Sequence, residues 1–254
     1  MNFTELSKTS EVLLFLLMKR PKIIAHRGYW NTDDCVENTI KALKQAQQLD
    51  IYGSEFDVRM SKDGVPLIYH DEFLEGNEIS KSDFKTLFSA FKVARHGFLP
   101  TLENYLTYGM KVPSHRLVME IKDIDSIEEE FNLFQSVIYL IEKLRMQDRL
   151  EYISFSLNIC RLLKEWSESA IVSYLGGDLS PIEISEYGLN GLNYEFKIWK
   201  QNPDWISESK KLRLRTGCWT VNDVKEFFEL AEMGIDFVTT DRPDLLLDFS
   251  AQIE

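Results

Sequence analysis

Gly53-Ser54-Glu55-Phe56-Asp57-Val58 runs through Arg59-Met60-Ser61-Lys62-Asp63-Gly64 into Val65-Pro66-Leu67-Ile68-Tyr69-His70. The first and last of these runs read as strands, and the segment joining them is far too short for a parallel crossover, which takes a dozen or more residues. It must be a hairpin, with Asp63-Gly64 as a favoured tight-turn pair. Folding back around Lys62 and Asp63 brings His70 roughly opposite Glu55 and Asp57.

Working outward, short apolar runs rich in β-branched residues alternate with longer stretches of helical period, the pattern of βα units. Eight such runs are read as parallel strands: Lys22 to His26, Gly53 to Val58, Arg116 to Lys122, Glu151 to Phe155, Ala170 to Leu175, Gly191 to Glu195, Leu214 to Val221 and Asp236 to Thr240. Helices are expected over Glu37 to Leu49, Ile127 to Met146, Leu157 to Ser167, Pro203 to Lys211 and Asp223 to Met233, the last between an Asn222 cap and Gly234. Eight repeats in a chain of 254 residues fit a (β/α)8 TIM barrel better than an open doubly wound sheet. The fold class is therefore α/β, a barrel with a β-hairpin arm after the second strand. Asp71 to Pro100 shows no clear strand and is expected to form a small helical insertion over the barrel mouth. Residues 22–254 are read as one barrel domain, preceded by a leader or extension over residues 1–21.

Composition narrows the partners. The formal charge of −12 repels polyanions at long range, so nucleic acid is a poor partner and a small anionic substrate needs a local site that inverts the field. The apolar run Val12 to Met18 is too short to span a bilayer, so no stable membrane insertion is expected. As a secretory signal it has acidic neighbours, Glu5 and Glu11, and no small-residue cleavage site, which favours the cytoplasm over a periplasmic or secreted location. Cys35, Cys160 and Cys218 lie far apart with no CxxC spacing, so reduced thiols are expected. The oligomeric state is not legible in the sequence.

In a barrel of this kind, function gathers where strands run out into the loops that follow them. Charged residues stand at those ends: His26-Arg27 after the first strand, Glu55 and Asp57 on the second, His70 on the hairpin arm, Glu120 and Lys122 on the third. Glu55 and Asp57 are two apart and leave the strand on one face. Were Glu120 to join them, each carboxylate pair at ~4 Å would repel by about 4 kcal/mol at an effective dielectric of ~20. One divalent cation removes that cost, and an all-oxygen ligand set suits Mg²⁺ or Ca²⁺. Alternatively, a carboxylate pair on a strand simply faces water. His26 and His70 beside a cation offer a general acid and a general base near neutral pH, as displacement of an alcohol from phosphorus requires. His96 and His115 fall in loops. Arg27 and Lys122 supply phosphate-binding charge, or else ion-pair with the carboxylates.

The runs His26-Arg27-Gly28, Glu37-Asn38-Thr39, Glu55-Phe56-Asp57-Val58, Lys62-Asp63-Gly64-Val65-Pro66 and His70-Asp71 resemble, in order and spacing, the signature of the glycerophosphodiester phosphodiesterases. The likeness continues through Leu99-Pro100-Thr101-Leu102-Glu103, Glu120-Ile121-Lys122, Ile153-Ser154-Phe155, Trp219-Thr220-Val221-Asn222 and Thr240-Asp241-Arg242-Pro243. It implies a divalent metal on Glu55, Asp57 and Glu120, catalysis by His26 and His70, and phosphate binding by Arg27 and Lys122. It also implies a glycerophosphodiester as the small-molecule substrate, with Trp219 lining the pocket against the alcohol moiety; ordinary barrel packing is the alternative role for Trp219. Glu37 is read as shaping the site near Arg27. Either water attacks phosphorus directly, or a neighbouring glycerol hydroxyl attacks first to give a cyclic phosphate. A phospholipase D-like or lysophospholipase D-like activity on a larger lipid, and a catalytically silent phosphate-ester-binding barrel, are the rival readings. Two departures stand out: Val36 replaces the usual Pro, and the insertion after His70-Asp71 is shorter than in many members.

Overall fold

A computed structural model describes residues 20–251, apart from 33 and 96. The proposed leader, residues 1–19 above all, and His96 therefore fall outside the described residues. Eight parallel strands close on themselves: β1 (Lys22–Ala25), β2 (Gly53–Met60), β6 (Arg116–Ile121), β7 (Leu150–Ser154), β8 (Val172–Tyr174), β9 (Gly191–Glu195), β10 (Arg215–Trp219) and β11 (Phe237–Thr240). β1 completes the ring, with Ile24 beside Gly53 of β2 on one side and Lys22 beside Phe237 of β11 on the other. All eight runs read from the sequence are strands, and the fold is a (β/α)8 TIM barrel. The hairpin arm is present too: β3 (Pro66–Ile68) runs antiparallel to β2, Val58 facing Ile68, with Gly64 at a φ of +78° in the turn.

Helices cover the barrel, namely α1 (Ile40–Ala46), α2 (Phe84–Arg95), α3 (Leu102–Gly109), α4 (Ile127–Leu144), α5 (Leu157–Trp166), α6 (Pro181–Glu186), α7 (Phe196–Gln201), α8 (Asp204–Lys211), α9 (Val224–Met233) and α10 (Pro243–Ala251). Local chemistry starts them. Ser126 and Ser156 accept the N–H of Glu129 and Ile159 at the heads of α4 and α5, and Ser180 forms a capping box with Glu183. Two expectations are corrected. α9 is capped by Asp223, which accepts the N–H of Lys225 and Glu226, and Asn222 turns away to hold Asp241. α1 starts at Ile40, three residues later than expected, because Asn38 adopts a left-handed φ of 57° and spends its side chain on Asp57.

The insertion between β3 and α3 holds a minimal hairpin, β4 (Phe73–Leu74) and β5 (Asn77–Glu78), besides the expected helix, α2. Its strands are two residues each, too short for alternation to reveal them. Leu67, Leu74, Ile79, Leu87, Phe91 and Leu99 give it a small core of its own. The main core lies between barrel and helices, and Ile24, Val118, Ile153 and Leu175 fill the barrel interior.

At the opposite end of the strands from the charged residues, His115 is buried and shares a 2.8 Å hydrogen bond with Ser54 Oγ. Burial, with Arg149 nearby, pushes its imidazole from 6.5 down to about 4. A histidine held neutral this way leaves stability intact above pH 6.5 and removes it as pH falls from 6.5 toward 4. The loss is of order 3 kcal/mol. Urea unfolding across that range should show wild type losing more stability than His115→Gln, and parallel losses would remove His115 as the cause.

Candidate active site

The turn after β1 begins the site. Arg27 sits at a left-handed φ of 55°, a conformation disfavoured for any residue with a Cβ, and Gly28 follows at +80°, where a Cβ would lie 2.8 Å from Ala42. This sharp turn aims the Arg27 N–H at Glu55 Oε2, 2.9 Å away, and sends its guanidinium to Glu37 Oε1 at 2.8 Å and toward Asp57 Oδ2 at 3.5 Å. Glu37 is thus an ion-pair partner of Arg27.

β2 and β6 lie side by side with Asp57 opposite Glu120. One carboxylate oxygen each from Glu55, Asp57 and Glu120 lies within 4.8 Å of the others, and all three residues are buried. The like charges are partly balanced: Lys122 Nζ stands 2.5 Å from Glu120 Oε1 and 2.8 Å from Asp57 Oδ1, and Asn38 Nδ2 donates to Asp57 Oδ2 at 2.7 Å. The balance is uneven. Burial and the neighbouring Asp57 raise Glu120 to about 7, and the same causes push Glu55 well up. Asp57 is driven the other way, to about 2: burial works against ionisation there, but Lys122, His70 and Arg27 outweigh it. Glu55 Oε1 is buried with no hydrogen-bond partner, an acceptor that a hard cation would satisfy. The donor set fits a divalent metal ion, with Mg²⁺ and Ca²⁺ equally suited.

Two histidines flank this cluster. His26 Nδ1 lies 2.7 Å from Asp241 Oδ1, and its Nε2 faces Glu55 Oε2 at 3.9 Å. Asp241 is fixed in turn by Asn222 Nδ2 at 2.6 Å; burial pushes its carboxyl upward, but the bonds from His26 and Asn222 bring it below the ordinary range. His70, carried in by the hairpin arm, pairs through Nδ1 with Asp71 Oδ1 at 2.7 Å. Burial lowers its pKa, which keeps the ring neutral near pH 7. His26, Arg27, Glu55, His70, Glu120, Lys122 and Trp219 all line one cavity of about 120 Å³. Asp57 lies behind it, among Lys122, Arg27 and Asn38. Trp219 forms part of the wall, edge-on to Phe155 at 5.5 Å.

Every site residue read from the sequence is thus brought together. Four supporting residues lie within the quoted runs but carry no site role in the sequence reading: Asn38, Asp71, Asn222 and Asp241. A signal existed for Asp241, a carboxylate just past the end of the last strand, the position that drew attention to His26 and Glu120. The other three stand in the quoted runs as well, but that Asn38 holds Asp57, Asp71 holds His70 and Asn222 holds Asp241 is decided by the fold.

The barrel thus carries three carboxylates and two carboxylate-bound histidines at the C-terminal ends of its strands and in the loops beside them. Residues 26–245 match the glycerophosphoryl diester phosphodiesterase family. The chain belongs to this family. Its members are phosphoric diester hydrolases. A glycerophosphodiester phosphodiesterase of Caldanaerobacter subterraneus is 26% identical, the match covering 89% of this chain and 96% of that one. The crystal structure of a glycerophosphodiester phosphodiesterase from Parabacteroides distasonis superposes with a TM-score of 0.89 at 34% identity, covering 93% of this chain and all of the other. An Oleispira antarctica phosphodiesterase, solved with its product sn-glycerol-3-phosphate, shares the fold at a TM-score of 0.79 and 23% identity, over 91% of this chain and 97% of that one. No helix among the described residues is long and apolar enough to cross a membrane.

Proposed function

We propose that this glycerophosphoryl diester phosphodiesterase family member hydrolyses glycerophosphodiesters to glycerol 3-phosphate and an alcohol, with His26 and His70 as acid and base and one divalent cation on Glu55, Asp57 and Glu120. The observation that carries the reading is the convergence, at and just behind one small cavity, of the buried carboxylate triad with two histidines that each hold a carboxylate on Nδ1. An Nδ1–H donated to a carboxylate leaves Nε2 free to take up or release a proton. One ring accepts the proton of the attacking hydroxyl as the new O–P bond forms; the other protonates the departing alkoxide as its O–P bond breaks. Arg27 and Lys122 lie beside the carboxylates, where they can grip the phosphate oxygens and stabilise charge in the transition state. A bound cation would add Lewis-acid stabilisation of that charge. Trp219 and Phe155 offer the carbon skeleton an apolar wall.

The test is release of glycerol 3-phosphate from glycerophosphocholine and glycerophosphoethanolamine with Mg²⁺, with Ca²⁺ and with EDTA. Metal-dependent release that EDTA abolishes is expected; no release under any metal would sink the proposal. We also place the enzyme in the cytoplasm, and recovery of the native activity from periplasm or medium would overturn that assignment.

A linked expectation concerns protons. Since Glu120 titrates at about 7, a cation that needs its carboxylate form must displace a proton below that pH, and affinity should fall about tenfold per unit of acidification for each proton displaced. Calorimetry in buffers of different ionisation enthalpy reads the release directly. Affinity that is flat between pH 8 and 6 would exclude Glu120 as a ligand.

A further inference from the structure

Among the described residues, three that line the active-site cavity carry a buried side-chain atom with no hydrogen-bond partner: Arg27 at Nε, Glu55 at Oε1 and Asn193 at Oδ1. The first two belong to the charged cluster. Asn193 does not. It stands on β9, four strands round the closed ring from β2 and so across the barrel from Glu55 and Asp57. The residue is only 8% exposed, and a buried amide end left unpaired is costly unless something else satisfies it.

The surroundings keep this amide where it is. Asn193 pairs in register with Gly217 of β10, and a Cβ at position 217 would lie 2.5 Å from Asn193 Oδ1. The neighbouring strand thus lacks a side chain where the amide needs the space. The Asn193 backbone carbonyl accepts the indole N–H of Trp219 at 2.8 Å, so one residue positions both the apolar wall and a polar group next to it. A ligand whose phosphate lay against Arg27 and Lys122 on the β1–β2–β6 side would have Asn193 in the opposite wall of the same cavity.

We propose that Asn193 is a substrate-binding residue, its amide hydrogen-bonding a free hydroxyl of the glycerol moiety and selecting polyol phosphates over alkyl phosphates of the same length. This rests on the reading of the site as a glycerophosphodiester pocket. Either end of the amide can serve, since a hydroxyl both donates and accepts.

The test compares glycerol 3-phosphate with propyl phosphate, which keeps the phosphate and three carbons but has no free hydroxyl. Affinities are measured by calorimetry in wild type, Asn193→Leu and Asn193→Ala, alongside hydrolysis of glycerophosphoethanolamine. Wild type should prefer glycerol 3-phosphate by about 10- to 100-fold, and both variants should lose most of that preference while binding propyl phosphate as wild type does. The preference is a ratio within one protein, so a variant that is partly unfolded still reports it. Preference retained in the variants, or equal weakening for both ligands as expected of a purely structural role through Trp219, would overturn the proposal. Its failure is distinguishable from that of the activity: wild type that prefers glycerol 3-phosphate but cleaves no glycerophosphodiester sinks the activity alone, whereas wild type that cleaves without preferring it sinks the assignment of Asn193 alone.

Discussion

Replacing His26 with Gln is expected to lower turnover of glycerophosphodiesters by about 10²–10⁴-fold, the usual contribution of a positioned acid or base. Gln keeps the polar contact available to Asp241 but cannot carry a proton at neutral pH. The loss should fall on kcat, with the divalent-metal affinity unchanged, because His26 stands 3.9 Å from the nearest oxygen of Glu55 and adds no atom to the carboxylate triad. Asp241→Asn should reproduce part of the defect without touching the imidazole. The 2.7 Å contact to Nδ1 sets which nitrogen carries the hydrogen, and an amide presented there can turn its NH₂ group to the ring and favour the unproductive tautomer. Steady-state kinetics with metal titrations on both variants decides the matter. A His26→Gln enzyme of undiminished kcat would remove His26 from proton transfer, and an equal loss in metal affinity would recast it as a support of the cation site.

Glu120→Gln should invert its effect on stability with the metal. A buried carboxyl whose pKa is raised from 4.5 to about 7 contributes fully below pH 4.5 and loses its contribution as pH rises toward 7. Without metal at pH 7 or above, the neutral amide is spared that loss and the variant should be more stable than wild type by about 1–3 kcal/mol. Adding the cation reverses the order: wild type gains about 2.7 kcal/mol at a metal concentration ~100 times its dissociation constant, and the variant, short of one charged ligand, gains far less. Urea unfolding in EDTA and in excess Mg²⁺ or Ca²⁺ measures both arms. If the variant is the weaker protein in EDTA, the carboxylates are not in conflict. If it gains as much from metal as wild type does, Glu120 is not a ligand. Sites assembled from like charges usually trade stability for function in this way.

Much of this protein is legible without its coordinates. Strand positions follow from short, largely apolar runs because a parallel barrel strand is buried on both faces, as β2 and β6 are over most of their length. Those same runs make Glu55, Asp57 and Glu120 conspicuous, since a carboxylate inside a buried strand is expensive unless something binds it. The hairpin arm follows from chain length alone, and with it the arrival of His70. Residue types and strand ends thereby determined the barrel and which charged residues gather at its rim. The tertiary structure decided the rest: that Arg27 and Lys122 rest on Glu37, Asp57 and Glu120, that Asp241 and Asn222 hold His26, and that Asn193 faces the cavity beside Gly217. These depend on which strands become neighbours across a closed ring and on the direction each side chain takes there. Partners 28 or 215 residues apart leave no periodicity in the chain, because only closure of the ring brings them together.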